Sequence, residues 1–146
     1  MSRLCLSGVR WVTGTAREVH SPLRFPRRLT GHIDLKRSGL LAIANLARYL
    51  ALTHGLTTTG TLDRLAAVER LGLGDEESMR SLQSSFVLIA DVRMRHQAGQ
   101  VRAGKRPDNV VDTDDLPRIV RAGVREALRI VAESQRLLPP ALHGWA

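Results

Sequence analysis

The sequence contains few aromatic residues, a single cysteine and no long apolar run. Aromatics make up 3% of the 146 residues, which argues against a β-sandwich or barrel and against a platform that stacks single-stranded bases. Cys5 is the only cysteine, so an intrachain disulfide and a multi-cysteine zinc site are excluded, and we expect a cytoplasmic location. The longest apolar runs, residues 40–44 and 86–90, fall far short of the ~20 residues of a membrane span, so we expect no membrane partner.

Positive charge is present in excess but is unevenly distributed. The formal net charge is +8. Residues 1–32 carry six arginines and one glutamate, whereas residues 33–146 carry 16 basic and 13 acidic side chains. Prolines and glycines interrupt any periodicity near the N-terminus. We therefore expect an irregular, poorly ordered basic leader over residues 1–31, a helical domain over residues 32–138 and a tail over residues 139–146.

Four helical segments are predicted from apolar periodicity and end signals. The first spans about residues 38–54, with an apolar stripe at i, i+3, i+7 and i+10, and the second spans about residues 61–71 with Thr61 as its N-cap. The third opens with acidic residues 75–77 and reaches about residue 103. The fourth begins near Asp115, with Asp114 and Asp115 as caps and Pro117 in its first turn, and fades before residue 139. No segment alternates with period two.

These segments predict an all-α fold, a four-helix bundle or a close relative with long third and fourth helices. The third helix carries an unusual feature. Its apolar stripe, which includes Phe86 and Ile89, continues at the same spacing into the polar residues Arg93, His96, Gln97 and Gln100.

A buried, unpaired arginine costs several kcal/mol, so Arg93 must have a partner or line a wet cleft. One interpretation is a polar pocket for an anionic or hydrogen-bonding ligand. The alternatives are a salt-bridge network with acids such as Asp34, Asp63 or Glu126, or a helix end that projects into solvent. Asn45 and Arg48 form a smaller polar pair among apolar neighbours of the first helix.

The motifs of known catalytic and metal sites are missing from the sequence. It has no P-loop, no G-x-G-x-x-G, no G-x-S-x-G, no H-E-x-x-H and no Cys/His cluster. We therefore predict no bound metal, no catalytic residue and no self-sufficient active site in this chain.

Several short motifs, in order, resemble one bacterial family, the nucleotidyltransferase substrate-binding domain. The R-x-R-H-Q and P-D-N motifs in combination are the most specific. The resemblance covers roughly residues 32–137 and rests on residues 34–41, 45–48, 61–65, 93–97, 104–109, 125–129 and Gln135.

The family resemblance implies an accessory helical module beside a nucleotidyltransferase-like catalytic domain, similar to that of protein-PII uridylyltransferase. In the family that domain lies in the same chain, with cyclic-nucleotide-binding-like and cystathionine-β-synthase-type regulatory domains upstream. Nucleoside triphosphate and Mg²⁺ belong to the catalytic domain, and a nucleotide or a protein is the expected substrate. The residues implied to contact and position the substrate are Asp34, Lys36, Arg37, Asn45, Arg48, Arg93, His96, Gln97, Asp108 and Asn109.

Two departures from the family pattern bear on function. Ala42 stands where a proline is expected, and residues 1–32 contain no Gly-Ser turn followed by paired aspartates. Because nucleotidyl transfer needs such carboxylates to hold the metal, we expect this chain not to catalyse it alone. The alternative function is a basic helical module for nucleic acid or for protein interaction. Nucleic acid is the less expected partner, because most of the excess charge lies in the leader.

Overall fold

The computed structural model describes residues 31–136. The predicted irregular leader, except for its last residue, and the predicted tail over residues 139–146 lie outside the described residues. The described part is mainly helical, as predicted. Its elements are, in chain order, strand β1 (His32–Asp34), a π-helical turn (Lys36–Leu40), helix α1 (Leu41–Thr53), helix α2 (Thr61–Arg70), helix α3 (Glu76–Arg102), strand β2 (Val110–Asp112), a 3-10 turn (Thr113–Asp115) and helix α4 (Arg118–Arg136).

A two-stranded antiparallel sheet, which the sequence analysis did not predict, closes the domain. β1 pairs with β2 so that Ile33 lies opposite Val111. Beyond the strands, the backbone N–H of Leu35 donates to the carbonyl of Asn109 at 3.0 Å. Three-residue strands are too short to show alternation in the sequence. The sheet therefore holds the start of the first helical segment beside the loop of residues 104–109, which precedes β2.

The first helical segment begins as a π-helical turn and continues as α1. The predicted stripe is largely confirmed, because Ile43 and Ala47 are buried in the core. Gly39 is buried in the π-helical turn, and a Cβ atom there would lie 2.7 Å from Cδ1 of Ile89 and 3.4 Å from a methyl group of Leu128. Gly39 therefore lets this turn approach both α3 and α4 closely.

Helices α2 and α3 have the predicted extents to within one residue, but one cap is different. Gly60, not Thr61, occupies the N-cap position of α2, so that prediction is wrong. Acidic residues open α3, as predicted. The carboxylate of Asp75 caps the helix by accepting hydrogen bonds from the backbone N–H and the hydroxyl of Ser78, both at 2.8 Å. The helix runs through Gly99 without ending.

Helix α4 starts later than predicted. Asp114 and Asp115 lie in the preceding 3-10 turn, which is capped by the carboxylate of Asp112 accepting from the N–H of Asp114 at 2.9 Å. The prediction that Asp114 and Asp115 cap α4 is therefore wrong. The carboxylate of Asp114 instead pairs with Arg121 at 3.0 Å. All four helices, the π-helical turn and β2 contribute to one core, in which the largest fully buried apolar side chains are Leu35, Ile43, Leu65, Leu82, Ile89 and Leu128.

Candidate functional site

The second half of α3 turns a row of polar side chains toward the loop of residues 104–109. Arg93, His96 and Gln97 are half-buried, whereas their neighbours Met94 and Arg95 are exposed. The burial therefore follows the period predicted from the apolar stripe. The loop covers this row of side chains. The alternative that this end of the helix projects into solvent is therefore wrong.

Each side chain of this row forms a hydrogen bond with the loop of residues 104–109. Nε of Arg93 donates to Oδ1 of Asn109 at 2.6 Å, and Nε2 of Gln97 donates to the same atom at 3.2 Å and to the carbonyl of Asp108 at 3.0 Å. Nε2 of His96 lies 3.1 Å from Oδ1 of Asp108. The structure thus brings together the five predicted site residues of the R-x-R-H-Q and P-D-N motifs.

Gln100 is a sixth member of this cluster, and it was absent from the predicted site residues. Its Oε1 accepts a hydrogen bond from the backbone N–H of Asp108 at 2.9 Å. The helical spacing places Gln100 in the row that begins at Arg93. It is left out of the site residues because those come from the family motif, which on this helix ends at Gln97.

Asp108 is held in its charged form by its neighbours. Hydrogen bonding to His96, then to the backbone N–H of Val110 and to Gln100, lowers the pKa of this carboxyl below its ordinary value of 3.8. The bond from Val110 is 3.0 Å long. The carboxylate is therefore an acceptor that fixes the loop and not a proton donor near neutral pH.

Three further predicted residues lie at the adjacent start of the first helical segment. Asp34 pairs with Val110 in the sheet, next to Asn109, and its Oδ1 accepts from the backbone N–H of Arg37 at 3.0 Å. Lys36 and Arg37 are exposed. The sheet thereby places two cationic side chains, which have no ion pair among residues 31–136, on the segment that is joined to the loop of residues 104–109.

Arg93 is a half-buried cation without a carboxylate partner in the described part of the chain. Among residues 31–136, no carboxylate lies within ion-pair distance of its guanidinium, although Arg80, Arg95, Arg121 and Arg129 all have such partners. The alternative that Arg93 is tied to Asp34, Asp63 or Glu126 is therefore wrong. Its identified partner is the neutral amide of Asn109. A half-buried cation is thus held in position with no carboxylate partner among residues 31–136.

Asn45 and Arg48 form a contact of their own on α1. Nη1 of Arg48 donates to Oδ1 of Asn45 at 3.2 Å, and Arg48 is exposed. This is the only hydrogen bond or ion pair of Arg48 within the described residues. These two predicted residues are therefore placed together, but no hydrogen bond or ion pair within residues 31–136 joins Arg48 to the Arg93 cluster.

Two surface grooves lie away from the Arg93 cluster. One, of about 730 Å³, separates the first half of α3 from α4, and the other, of about 550 Å³, is lined by Leu62 of α2 and by α3 residues that include Val87 and Asp91. The polar pocket predicted at Arg93 is thus an open cluster around a loop and not one of these grooves. Residues 31–136 contain no group of three His, Cys, Asp or Glu side chains suited to a metal ion.

One family model matches nearly the whole chain. Its description is "Putative nucleotidyltransferase substrate binding domain", and it aligns with residues 10–140. The match begins inside the segment that the sequence analysis sets apart as a leader. Neither the curated proteins nor the solved structures contain a match to this chain. None of the helices in the described part of the chain is long and apolar enough to cross a membrane.

Proposed function

The chain belongs to the nucleotidyltransferase substrate-binding family, and on this premise we propose that it is a helical module that positions an anionic substrate beside a nucleotidyltransferase-type catalytic region. In this proposal the catalytic region is similar to that of protein-PII uridylyltransferase and supplies the metal-binding carboxylates, the Mg²⁺ and the nucleoside triphosphate. This chain supplies contacts and binds no metal itself. The nucleic-acid alternative gains no support from the family match.

The single observation that carries the proposal is the environment of Arg93. The hydrogen bond of its Nε atom to Asn109 fixes the guanidinium, while no carboxylate of residues 31–136 neutralises it. Arginine presents its donors in a planar fork that suits phosphate and carboxylate groups. A fixed guanidinium without a carboxylate partner among these residues is therefore suited to contact the anionic part of a substrate.

The surroundings of Arg93 favour the same role. Lys36 and Arg37 are exposed on the segment that the sheet joins to Asn109. His96, Gln97 and Gln100 hold the loop that carries Asn109, so they act as positioning residues for the Arg93 contact. We place no bond-making step on any of these side chains.

The experiment that tests this function is a binding titration with the full chain. A separately expressed nucleotidyltransferase-type catalytic domain is added in a calorimeter, alone and with Mg²⁺ and either ATP or UTP. We expect a complex to form, and we expect the nucleotide to change its affinity. Absence of binding under all of these conditions would contradict the proposal and would leave the Arg93 cluster with a purely structural role.

A further inference from the structure

The outer side of α3 carries an exposed apolar stripe that the proposed function does not use. Val87, Met94 and Val101 follow one another at intervals of seven residues, and their exposed fractions are 54%, 62% and 60%. Side chains seven positions apart lie on the same side of a helix. The half-buried Ala90 and Ala98 lie between them, so the stripe extends over about 21 Å at 1.5 Å per residue. A continuous exposed apolar stripe of this kind marks an interaction surface.

The apolar stripe lies on a different side of α3 from the Arg93 cluster. The side chains of Arg93 and Gln97 are half-buried and bond to Asn109 of the loop, whereas Met94 faces away from that loop and is exposed. A partner that packs on the stripe would therefore leave the hydrogen bonds of the Arg93 cluster in place. The occupant of the stripe and the anionic substrate are separate.

The side chains of the stripe are arranged symmetrically about Met94. Ala90 and Ala98 lie four positions before and after it, and Val87 and Val101 lie seven positions before and after it. When two identical helices pair antiparallel about a two-fold axis at Met94, each residue faces the position equally far on the other side of Met94 in the second copy. Valine then faces valine, alanine faces alanine and methionine faces methionine. This self-matching favours a second copy of the chain as the occupant, because an unrelated partner requires no such symmetry.

The charges beside the stripe are also self-complementary. Asp91 and Arg95 lie on one flank of the stripe, where they form an exposed ion pair at 2.8 Å. In the antiparallel pair the same flanks of the two helices meet, and Asp91 lies about two positions, or 3 Å of helix rise, from Arg95 of the second copy. Each carboxylate then lies beside two guanidinium groups. A parallel pair in register would instead place Asp91 against Asp91 and Arg95 against Arg95, so the charges favour the antiparallel arrangement.

The groove of about 550 Å³ lies at one end of the stripe, and the same pairing would fill it. Leu62, Val87 and Leu88 supply the apolar part of its lining. Because position 101 of the second copy faces Val87, the side chain of that Val101 would enter the groove, and the two-fold axis repeats this contact at the other end. The second copy would thus cover the groove as well as the stripe.

We propose that two copies of this chain associate through the apolar stripe, with their α3 helices antiparallel and the two-fold axis at Met94. A single pair of helices buries less surface than a standard interface of about 1,600 Å², so we expect a dissociation constant of about 10–100 μM. The dimer then forms reversibly with concentration.

The first test measures the oligomeric state of the full chain by analytical ultracentrifugation over a range of concentrations. Met94→Glu places two like charges against each other at the two-fold axis, and we expect it to weaken dimerisation by about tenfold or more. The matched control is Ile119→Glu, which replaces a side chain that is 83% exposed on α4, outside the stripe, and it should change the dissociation constant by less than about twofold. Circular dichroism checks that both variants are folded. A parent that stays monomeric up to about 1 mM, or equal effects of the two variants, would overturn the proposal.

The second test reads the direction of the pairing from disulfide cross-links. Cys5→Ser removes the natural cysteine, and single cysteines are then introduced by Met94→Cys, Val87→Cys or Val101→Cys. A disulfide needs Cα atoms within about 7 Å, so under mild oxidation we expect Met94→Cys to cross-link with itself. Val87→Cys should cross-link when it is mixed with Val101→Cys but not with itself, because the two copies of position 87 lie at least about 21 Å apart. Self-linking of Val87→Cys as fast as that of Met94→Cys, or no cross-link at position 94, would overturn the proposed pairing.

Discussion

Nε of Arg93 donates a 2.6 Å hydrogen bond to Oδ1 of Asn109, 16 residues further along the chain. Gln97 donates to the same oxygen at 3.2 Å. The amide oxygen of Asn109 thus accepts one hydrogen bond from a charged donor and one from a neutral donor, and both donors belong to α3. This acceptor ties the end of the loop to the helix, and it leaves the remaining nitrogens of Arg93 free of carboxylates in the described part of the chain.

The Arg93–Asn109 contact should be energetically coupled. In a double-mutant cycle with Arg93→Ala and Asn109→Ala, we expect a coupling energy of about 1–2 kcal/mol, because hydrogen bonds to charged groups contribute more than neutral ones. Urea unfolding of the four proteins measures it. In the matched cycle, Arg95→Ala with Asn109→Ala should be additive within about 0.5 kcal/mol, since Arg95 pairs with Asp91 instead. A coupling near zero in the Arg93 cycle would contradict the account.

Asp108 should make stability depend on pH in the acid range. Its pKa in the folded protein is lowered, first by the hydrogen bond with His96. Its stabilising contribution is therefore complete above the unfolded-state pKa, about 3.9, and is lost as the pH falls through the lower folded-state pKa. The free energy of unfolding is measured from pH 7 to pH 2 for the parent and for Asp108→Asn.

We expect the stability difference between the parent and Asp108→Asn to shrink as the pH falls below 4. The variant His96→Ala should also move the pKa of Asp108, followed by NMR of its carboxyl carbon, upward toward 3.8. A stability difference that stays the same down to pH 2 would show that the charged form of Asp108 does not stabilise the loop.

Gly39 and Gly99 should respond in opposite ways to substitution by alanine. In Gly39→Ala, the new Cβ would lie 2.7 Å from Cδ1 and 3.2 Å from Cγ2 of Ile89, a fully buried side chain. We expect a net loss of about 1 kcal/mol or more, since the overpacking exceeds the gain in helix propensity. Gly99 has nothing within 4 Å, and Gly99→Ala should stabilise by about 0.5–1 kcal/mol. Thermal unfolding distinguishes these outcomes, and equal signs for the two variants would contradict the packing described at Gly39.

The extent of α3 could be predicted from sequence because its signals are local. Asp75 accepts from Ser78 at one end, and Gly104 adopts a positive φ of 68° at the other, which stops the helix. The inward direction of Arg93 also follows from the helical period that begins in the apolar stripe. These features depend only on residues a few positions apart.

The partner of Arg93 could not be predicted from periodicity, because it depends on the path of a loop. Periodicity placed Arg93 facing inward and suggested acids as partners, whereas the structure brings Asn109 into that position. The sheet that pairs Ile33 with Val111 could not be predicted from sequence either, because each strand has only three residues and its partner is distant along the chain. The family resemblance named the two motifs that hydrogen bonds join in the structure, but it did not separate their residues from Arg48, which contacts Asn45.

The most direct test of the central claim compares Arg93→Gln and Arg95→Gln in their affinity for the catalytic domain and nucleotide of the proposed function. Both variants remove one positive charge from the same turn of α3, but only Arg93 is half-buried and lacks a carboxylate partner in the described residues. In titrations with the catalytic domain and nucleotide, we expect Arg93→Gln to weaken binding by about tenfold or more and Arg95→Gln to leave it within about twofold. Equal affinities for the two variants, with both proteins folded, would contradict the claim that Arg93 contacts the substrate.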